Sequence, residues 1–266
     1  MSKRSYTFTH AITRKPSASI TNGLRAVDTG APDHSVFLEH HAAYVAALGS
    51  TGAKVTVLEA LEEFPDSVFV EDAALCLPEA AIALRPGTPS RIGEAAIMAK
   101  TLSEFYNDVR TIKGPGYIDG GDILTTESEI LVGTSGRTDS AGIEELRELV
   151  ARWGYKVREL KTPEGVLHFK TDCALLDENT ILSTKRLADS GCFEGYNVIL
   201  VSEGEEPCAN TIRFNDLVLM PDGFPETEKT LISAGYKVLP HFLRWRNSHD
   251  CCGTAVEETL GLKASG

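Results

Sequence analysis

The stretch Gly-Tyr-Lys-Val occurs twice, at 154–157 and 235–238, and each copy sits at the same place in a longer unit. Residues 117–160 run YIDGGDILTTESEILVGTS, SAGIEELRELVARW and GYKVREL. The alternating apolar positions of the first part predict two strands across a polar turn. The 3.6-type spacing of the second predicts a helix, and a glycine then leads into a third strand. Residues 208–239 repeat the order, with CANTIRFNDLVLMP, TEKTLISA and GYKVLP. Looser copies lie at 73–112, at 171–201 with a short helical stretch around 185–190, and at 34–58 with an opening strand in YTFTHAI at 6–12. A unit of this kind cannot bury its own apolar face, so five of them must pack on one another. The expected fold is α/β: five strand-strand-helix-strand units closed into a propeller around a central cavity.

No linker or charge block divides the 266 residues, which are expected to form a single catalytic domain over 1–266 with a frayed tail at about 260–266. A net charge of −12 argues against nucleic acid or an anionic membrane as partner. No apolar run approaches the roughly 18 residues that span a bilayer, and the start, MSKRSYTFTHAI, lacks a signal-peptide core. These features predict a cytoplasmic protein, with oligomeric state left open, a homodimer included. Six cysteines without a CxxC pair fit neither a secreted disulfide scaffold nor a zinc ribbon.

Six places carry residues able to do chemistry. In FPDSVFVED, 64–72, carboxylates fall on both sides of an apolar, strand-like run, an arrangement that is costly unless positive charge or protons compensate it. Cys251 and Cys252 stand in the polar, turn-like RNSHDCCGTAVEE, whereas a cysteine is ordinarily a small core hydrophobe. His168, in GVLHFKTD, is either a satisfied core residue or a group that takes and returns a proton near neutral pH. GPGYIDGGDIL, 114–124, is a tight turn whose Asp119 and Asp122 either bond local amides or serve a site. Arg91 in RPGTPSR and Arg137 in VGTSGRTD occupy equivalent connections of successive units, and could converge to grip a carboxylate bidentately.

FPDSVFVED, RPG-x-x-SR, the YIDGGD turn, VGTSGRTD, VLHFKTD, the CANTI segment and the paired cysteines, in that order over about 6–252, together resemble the dimethylarginine dimethylaminohydrolases. These are members of the five-bladed, guanidino-modifying pentein superfamily. The resemblance implies the following roles. Cys251 is the nucleophile in preference to Cys252, His168 the acid and base, and Asp119 the residue that orients His168. Asp72 and Glu71 hold the guanidinium, Asp66 the amino-acid end, and Phe69 lies against the alkyl chain. Leu24 offers its carbonyl to the substrate amine, and Arg91 and Arg137 bind the α-carboxylate. The activity implied is hydrolysis of asymmetric dimethylarginine or monomethylarginine to citrulline and an alkylamine through a covalent thiouronium, with no cofactor and no metal. The partner implied is a small guanidino amino acid.

The chain departs from the family in having no glycine between Pro240 and Cys251. Rival readings are an arginine deiminase-like hydrolase, an amidinotransferase and a non-catalytic amino-acid-binding protein on the same fold. A metallohydrolase drawing on His40, His41, His241, His249, Cys251 and Cys252 is a fourth; it lacks a fixed ligand spacing such as HExxH.

Overall fold

In the computed structural model, the described residues are 5–24, 32–241 and 260–262. The alternating segments become short three-stranded sheets because each has one face to bury and too little length to bury it alone. The second blade is β3 (Ala74–Cys76), β4 (Ala81–Ala83), α2 (Ile92–Leu102) and β5 (Val109–Thr111). The third is β6 (Ile123–Thr125), β7 (Glu129–Thr134), α3 (Ser140–Ala151) and β8 (Lys156–Lys161). The fourth is β9 (Cys173–Leu175), β10 (Thr180–Ser183), a one-turn α4 (Lys185–Ala188) and β11 (Asn197–Leu200). The fifth is β12 (Ile212–Phe214), β13 (Leu217–Pro221), α5 (Pro225–Ser233) and β14 (Lys237–His241). In each, the first two strands pair antiparallel and the helix crosses back so that the third runs parallel to the second.

The repeated Gly-Tyr-Lys-Val has a backbone cause. Gly154 and Gly235 follow α3 and α5 at φ +82° and +94°, the left-handed region that closes a helix C-terminus and redirects the chain into the outer strand.

The first blade differs from the sequence expectation. β1 (His10–Arg14), α1 (His34–Ser50) and β2 (Lys54–Leu58) supply its middle strand, helix and parallel strand. Its remaining strand is β15 (Leu260–Leu262), antiparallel to β1 with His10 opposite Leu262. Residues 260–262 are therefore sheet, not the beginning of a frayed tail. Leu262 is buried with Ile12, Val70, Met98 and Leu102 in a cluster that joins the first blade to the second. Among the described residues, no helix is long and apolar enough to cross a membrane.

The helices pack outside and the inner strands face a central cavity, which takes lining residues from every blade, from Gly261, Ala74, Ile123 and Cys173 to Ile212. A 3-10 turn precedes the innermost strand of four blades: Val70–Ala73, Gly120–Asp122, Phe169–Thr171 and Glu206–Ala209. Successive turns touch one another around the axis. The fold thus gathers four sequence-distant turns at one place.

His41, one of the histidines considered as a metal ligand, is buried on α1, and its Nε2 has no hydrogen-bond partner. Burial lowers its pKa to about 4. Between that value and about 6.5 the unfolded chain takes up a proton that the folded chain refuses, so stability falls on acidification. His41→Leu is expected to abolish about 2 kcal/mol of the stability lost between pH 7 and pH 5. Urea midpoints of both proteins at the two pH values check this; an equal acid loss in each would refute it.

Candidate active site

The FPDSVFVED segment becomes a turn and then the 3-10 helix Val70–Ala73, because a carboxylate-rich run cannot continue as a buried strand without partners for its charges. It places Asp66, Glu71 and Asp72 against three separate sets of neighbours. Asp66 is buried and accepts from the Leu24 amide through Oδ1, at 3.0 Å, and through Oδ2, at 3.3 Å. Burial raises its pKa, opposed by the nearby Arg91 and Arg137 guanidinium groups. Asp66, Leu24 and the two arginines are thereby brought together.

Arg91 sits differently from an exposed carboxylate grip. Its guanidinium is buried: Nη1 pairs with Asp72, and Nε and Nη2 donate to Glu94 at 3.0 and 2.7 Å. Nη2 also reaches the carbonyl oxygens of Asp66 and Phe69, at 3.1 and 3.0 Å. In this structure, then, Arg91 fixes the carboxylate segment itself. The physical reason is the free protein's need for a resident cation beside a buried anion. Arg137 is only partly buried and donates to the Thr88 hydroxyl. Phe69 packs with Ile20, Phe37 and Val68.

Glu71 and Asp72 are adjacent and part ways. Glu71 pairs with Lys170, a buried lysine just after His168, and both line the central cavity. Burial raises Glu71 to about 7 against the pull of Lys170. The two carboxylates are thus already compensated by protein cations, Lys170 and Arg91, whereas the sequence reading left that task to the substrate. Asp72 turns toward Asp119 and His168, and one ligating atom from each of the three lies within 4.8 Å of the others. Among the described residues this is the grouping able to hold a metal ion, although Arg91 already bonds to Asp72 there.

Glycines make the approach possible. A Cβ on Gly120 would overlap the Glu71 carbonyl oxygen. One on Gly121 would stand 2.9 Å from His168 Cγ and 3.2 Å from Asp72 Oδ1. The imidazole therefore rests directly on the Gly-Gly backbone. Asp72 and Asp119 face each other as a buried acid pair. Burial raises Asp72, but Arg91 overrides this and brings it below the ordinary carboxylate value. Burial and the Asp72 charge push Asp119 well up.

The ring bond assigned to Asp119 by resemblance is made instead by Asp122. His168 Nδ1 lies 3.4 Å from Asp122 Oδ2, whereas Asp119 accepts from the Gly121 amide and leaves Oδ2 unpartnered. His168 is buried; burial lowers its pKa, yet Asp119, Asp122 and Asp72 together carry it up to about 10. Lys170, Glu94 and Asp122 are the participants that sequence reasoning left without a role. Cys251 and Cys252 lie outside the described residues, as do His249 and the side chain of His241.

No family model matches the chain. Among curated proteins, N(G),N(G)-dimethylarginine dimethylaminohydrolase from Pseudomonas aeruginosa is 37% identical over 233 residues, covering 87% of this chain and 91% of the relative. The Streptomyces coelicolor protein of the same description is 35% identical over 180 residues, 67% of this chain and 69% of its own. A solved structure of the P. aeruginosa enzyme, a cysteine-to-serine variant in complex with citrulline, superposes with a TM-score of 0.91 at 34% identity, over 96% of this chain and 100% of the other. The N-terminal domain of ArgZ, a cyanobacterial arginine dihydrolase, shares the fold at a TM-score of 0.82 and 18% identity, with 96% and 97% covered. With a buried histidine–carboxylate cluster at the axis of five blades and this level of identity over most of its length, the chain belongs to the dimethylarginine dimethylaminohydrolase family.

Proposed function

We infer that the protein hydrolyses asymmetric dimethylarginine or monomethylarginine to citrulline and dimethylamine or methylamine. The observation that carries this reading is the convergence of Asp72, Asp119 and His168 at the blade axis, in a chain 37% identical to a curated enzyme of that activity. Asp66, Arg137 and the Leu24 carbonyl are proposed to hold the amino-acid end, Phe69 the alkyl chain, and Asp72 the guanidinium. Glu71 supports that end from its pair with Lys170, and Arg91 acts on the α-carboxylate and through its hold on Asp72.

A guanidinium carbon is a weak electrophile because its charge is delocalised, so a thiolate is the suitable attacking group. Cys251 sulfur bonds to the central carbon, and the carbon–nitrogen bond to the alkylamine breaks as His168 delivers its proton to the leaving nitrogen. The resulting thiouronium is attacked by water, which loses a proton to the now neutral His168. The carbon–sulfur bond then breaks to release the thiolate, and the hydroxyl proton passes to solvent, where the freed amine takes one up, leaving neutral citrulline.

A citrulline assay on arginine, monomethylarginine and asymmetric dimethylarginine, with and without chelator, tests the reading. The methylated substrates are expected to exceed arginine by at least about 10-fold in kcat/KM, the discrimination that one methyl contact supplies. The rates should be indifferent to chelation. Preference for arginine would move the assignment to a deiminase, and no citrulline from any substrate would remove it.

A further inference from the structure

We propose that Lys170 is a positioning residue for substrate choice: it holds the Glu71 carboxylate in the central cavity, away from the departing nitrogen, and so favours methylated substrates. The proposal deepens the hydrolytic reading above and rests on it for the identity of that nitrogen.

The turns before β3, β6 and β9 form a partition. Glu71, Gly120 and Lys170 line the central cavity. Asp72, Asp119 and His168, each within two residues of one of them, make the cluster to which the chemistry is assigned. The Glu71 carbonyl oxygen lies against Gly120, where a Cβ would overlap it, so the backbone is pinned and the side chain alone sets which way the charge faces. Lys170 sets it toward the cavity. Its ammonium pairs with Glu71 Oε1, and it is itself buried, a position that an ammonium tolerates only with such a partner. Glu71 Oε2 is buried without a hydrogen-bond partner.

The neighbours determine where Glu71 turns when that hold is removed. The other charges that act on it are Asp72, which repels it, and His168, which attracts it. Arg213, a further cation of the cavity wall, is committed to the carbonyl oxygens of Asn215 and Leu176 and lies over the Tyr6 and Tyr236 rings. Without Lys170 the carboxylate is drawn to His168, the group that delivers a proton to the leaving nitrogen.

The substrates differ at that atom. The departing nitrogen carries two N–H groups in arginine, one in monomethylarginine and none in asymmetric dimethylarginine. A carboxylate only accepts. Beside arginine it gains hydrogen bonds, whereas beside the dimethylated nitrogen it is desolvated against two methyl groups with no donor to meet. Keeping Glu71 on Lys170 removes a penalty that falls on the methylated substrates alone.

The test measures citrulline release from all three substrates by the full chain, by Lys170→Met and by Glu71→Gln/Lys170→Met. The readout is the ratio of kcat/KM values within each protein. Such a ratio does not depend on how much of a preparation is folded, so a merely structural role for Lys170 would not move it. Lys170→Met should lower the dimethylarginine-to-arginine ratio at least about 10-fold, with monomethylarginine between the two. The double variant, which has no carboxylate to release, should keep the native ratio within about threefold. Replacing both partners of a buried pair by neutral groups of similar size is ordinarily tolerated, so the double variant decides the matter even if Lys170→Met does not fold.

A smaller fall in Lys170→Met, or none, would overturn the proposal. So would a ratio outside that range in the double variant, which would show that the Glu71 carboxylate already meets the departing nitrogen in the native protein. If the native protein releases no citrulline from any of the three, the hydrolytic reading falls, and dissociation constants from calorimetry decide the role of Lys170. The same loss of preference for the dimethylated ligand in Lys170→Met upholds it; an unmoved preference, or no binding of any of the three, refutes it.

Discussion

Cys251→Ser should release citrulline at least about 10⁴-fold more slowly than the native protein, while Cys252→Ser retains a rate within a few-fold. Two structural observations lead to this. Cys76, Cys173, Cys192 and Cys208 are all buried. Burial pushes the Cys173 thiol well up, raises Cys192, and carries Cys208 to about 12, so they are inert packing groups rather than nucleophiles.

The second is the acidic surround of His168, made by Asp119, Asp122 and Asp72. With its pKa carried up to about 10, the imidazole is a cation at neutral pH and cannot act first as a base. On the proposed mechanism the attacking group therefore arrives ionised, the state that an imidazolium favours in a thiol and does not produce in a serine hydroxyl. The same cation is then ready as the acid for the departing amine. Single-turnover assays with dimethylarginine, together with a direct binding measurement, separate lost chemistry from lost affinity. Full activity in Cys251→Ser, or collapse in Cys252→Ser alone, would transfer the nucleophile to Cys252.

Arg91→Gln should be the most damaging change to stability among the site residues, costing about 3–5 kcal/mol. The guanidinium is the resident charge between Asp72 and Glu94 and also ties the carbonyls of Asp66 and Phe69. Removing it leaves two buried carboxylates without their cation and frees the segment that builds the site. At about 2–4 °C per kcal/mol, the melting temperature should fall by roughly 10 °C.

The loss carries a pH signature. Asp72 is held below its ordinary value by Arg91, so its contribution is present above the unfolded carboxylate pKa and disappears as pH falls through the lower folded one. The gap between native and variant should accordingly narrow in acid, where protonated carboxyls no longer need the cation. Arg91→Gln combined with Glu94→Gln should recover part of the deficit. Urea midpoints at pH 7 and pH 4 measure all three statements, and a gap independent of pH would show that packing rather than charge is responsible.

The blades were readable because apolar alternation, helical spacing and the glycine before each outer strand are local properties that recur. The completion of the first blade by Leu260–Leu262 was not, since nothing local in Leu-Gly-Leu identifies a partner at the opposite end of the chain. At the site, the crowding of Asp66, Glu71 and Asp72 in one segment announced a need for compensating charge. Which cations answer it was hidden: Glu71 and Asp72 are neighbours, yet their partners Lys170 and Arg91 come from different blades. Asp119 and Asp122 flank the same two glycines, and sequence alone does not tell which carboxyl meets a ring arriving from the next blade. Lys170 did leave a trace, as a lysine inside the apolar approach to a strand, where a charge requires a partner.

The pairing of β1 with β15 bears on how the molecule comes into being. His10 emerges from the ribosome early, and its opposite number, Leu262, follows only after the five described helices have been made. The first blade cannot be completed co-translationally in sequence order, so its half-made sheet waits with an unpaired strand edge while the others assemble. Contacts of such separation are slow to form. The circle shuts only once residues 260–262 have been made and have reached β1.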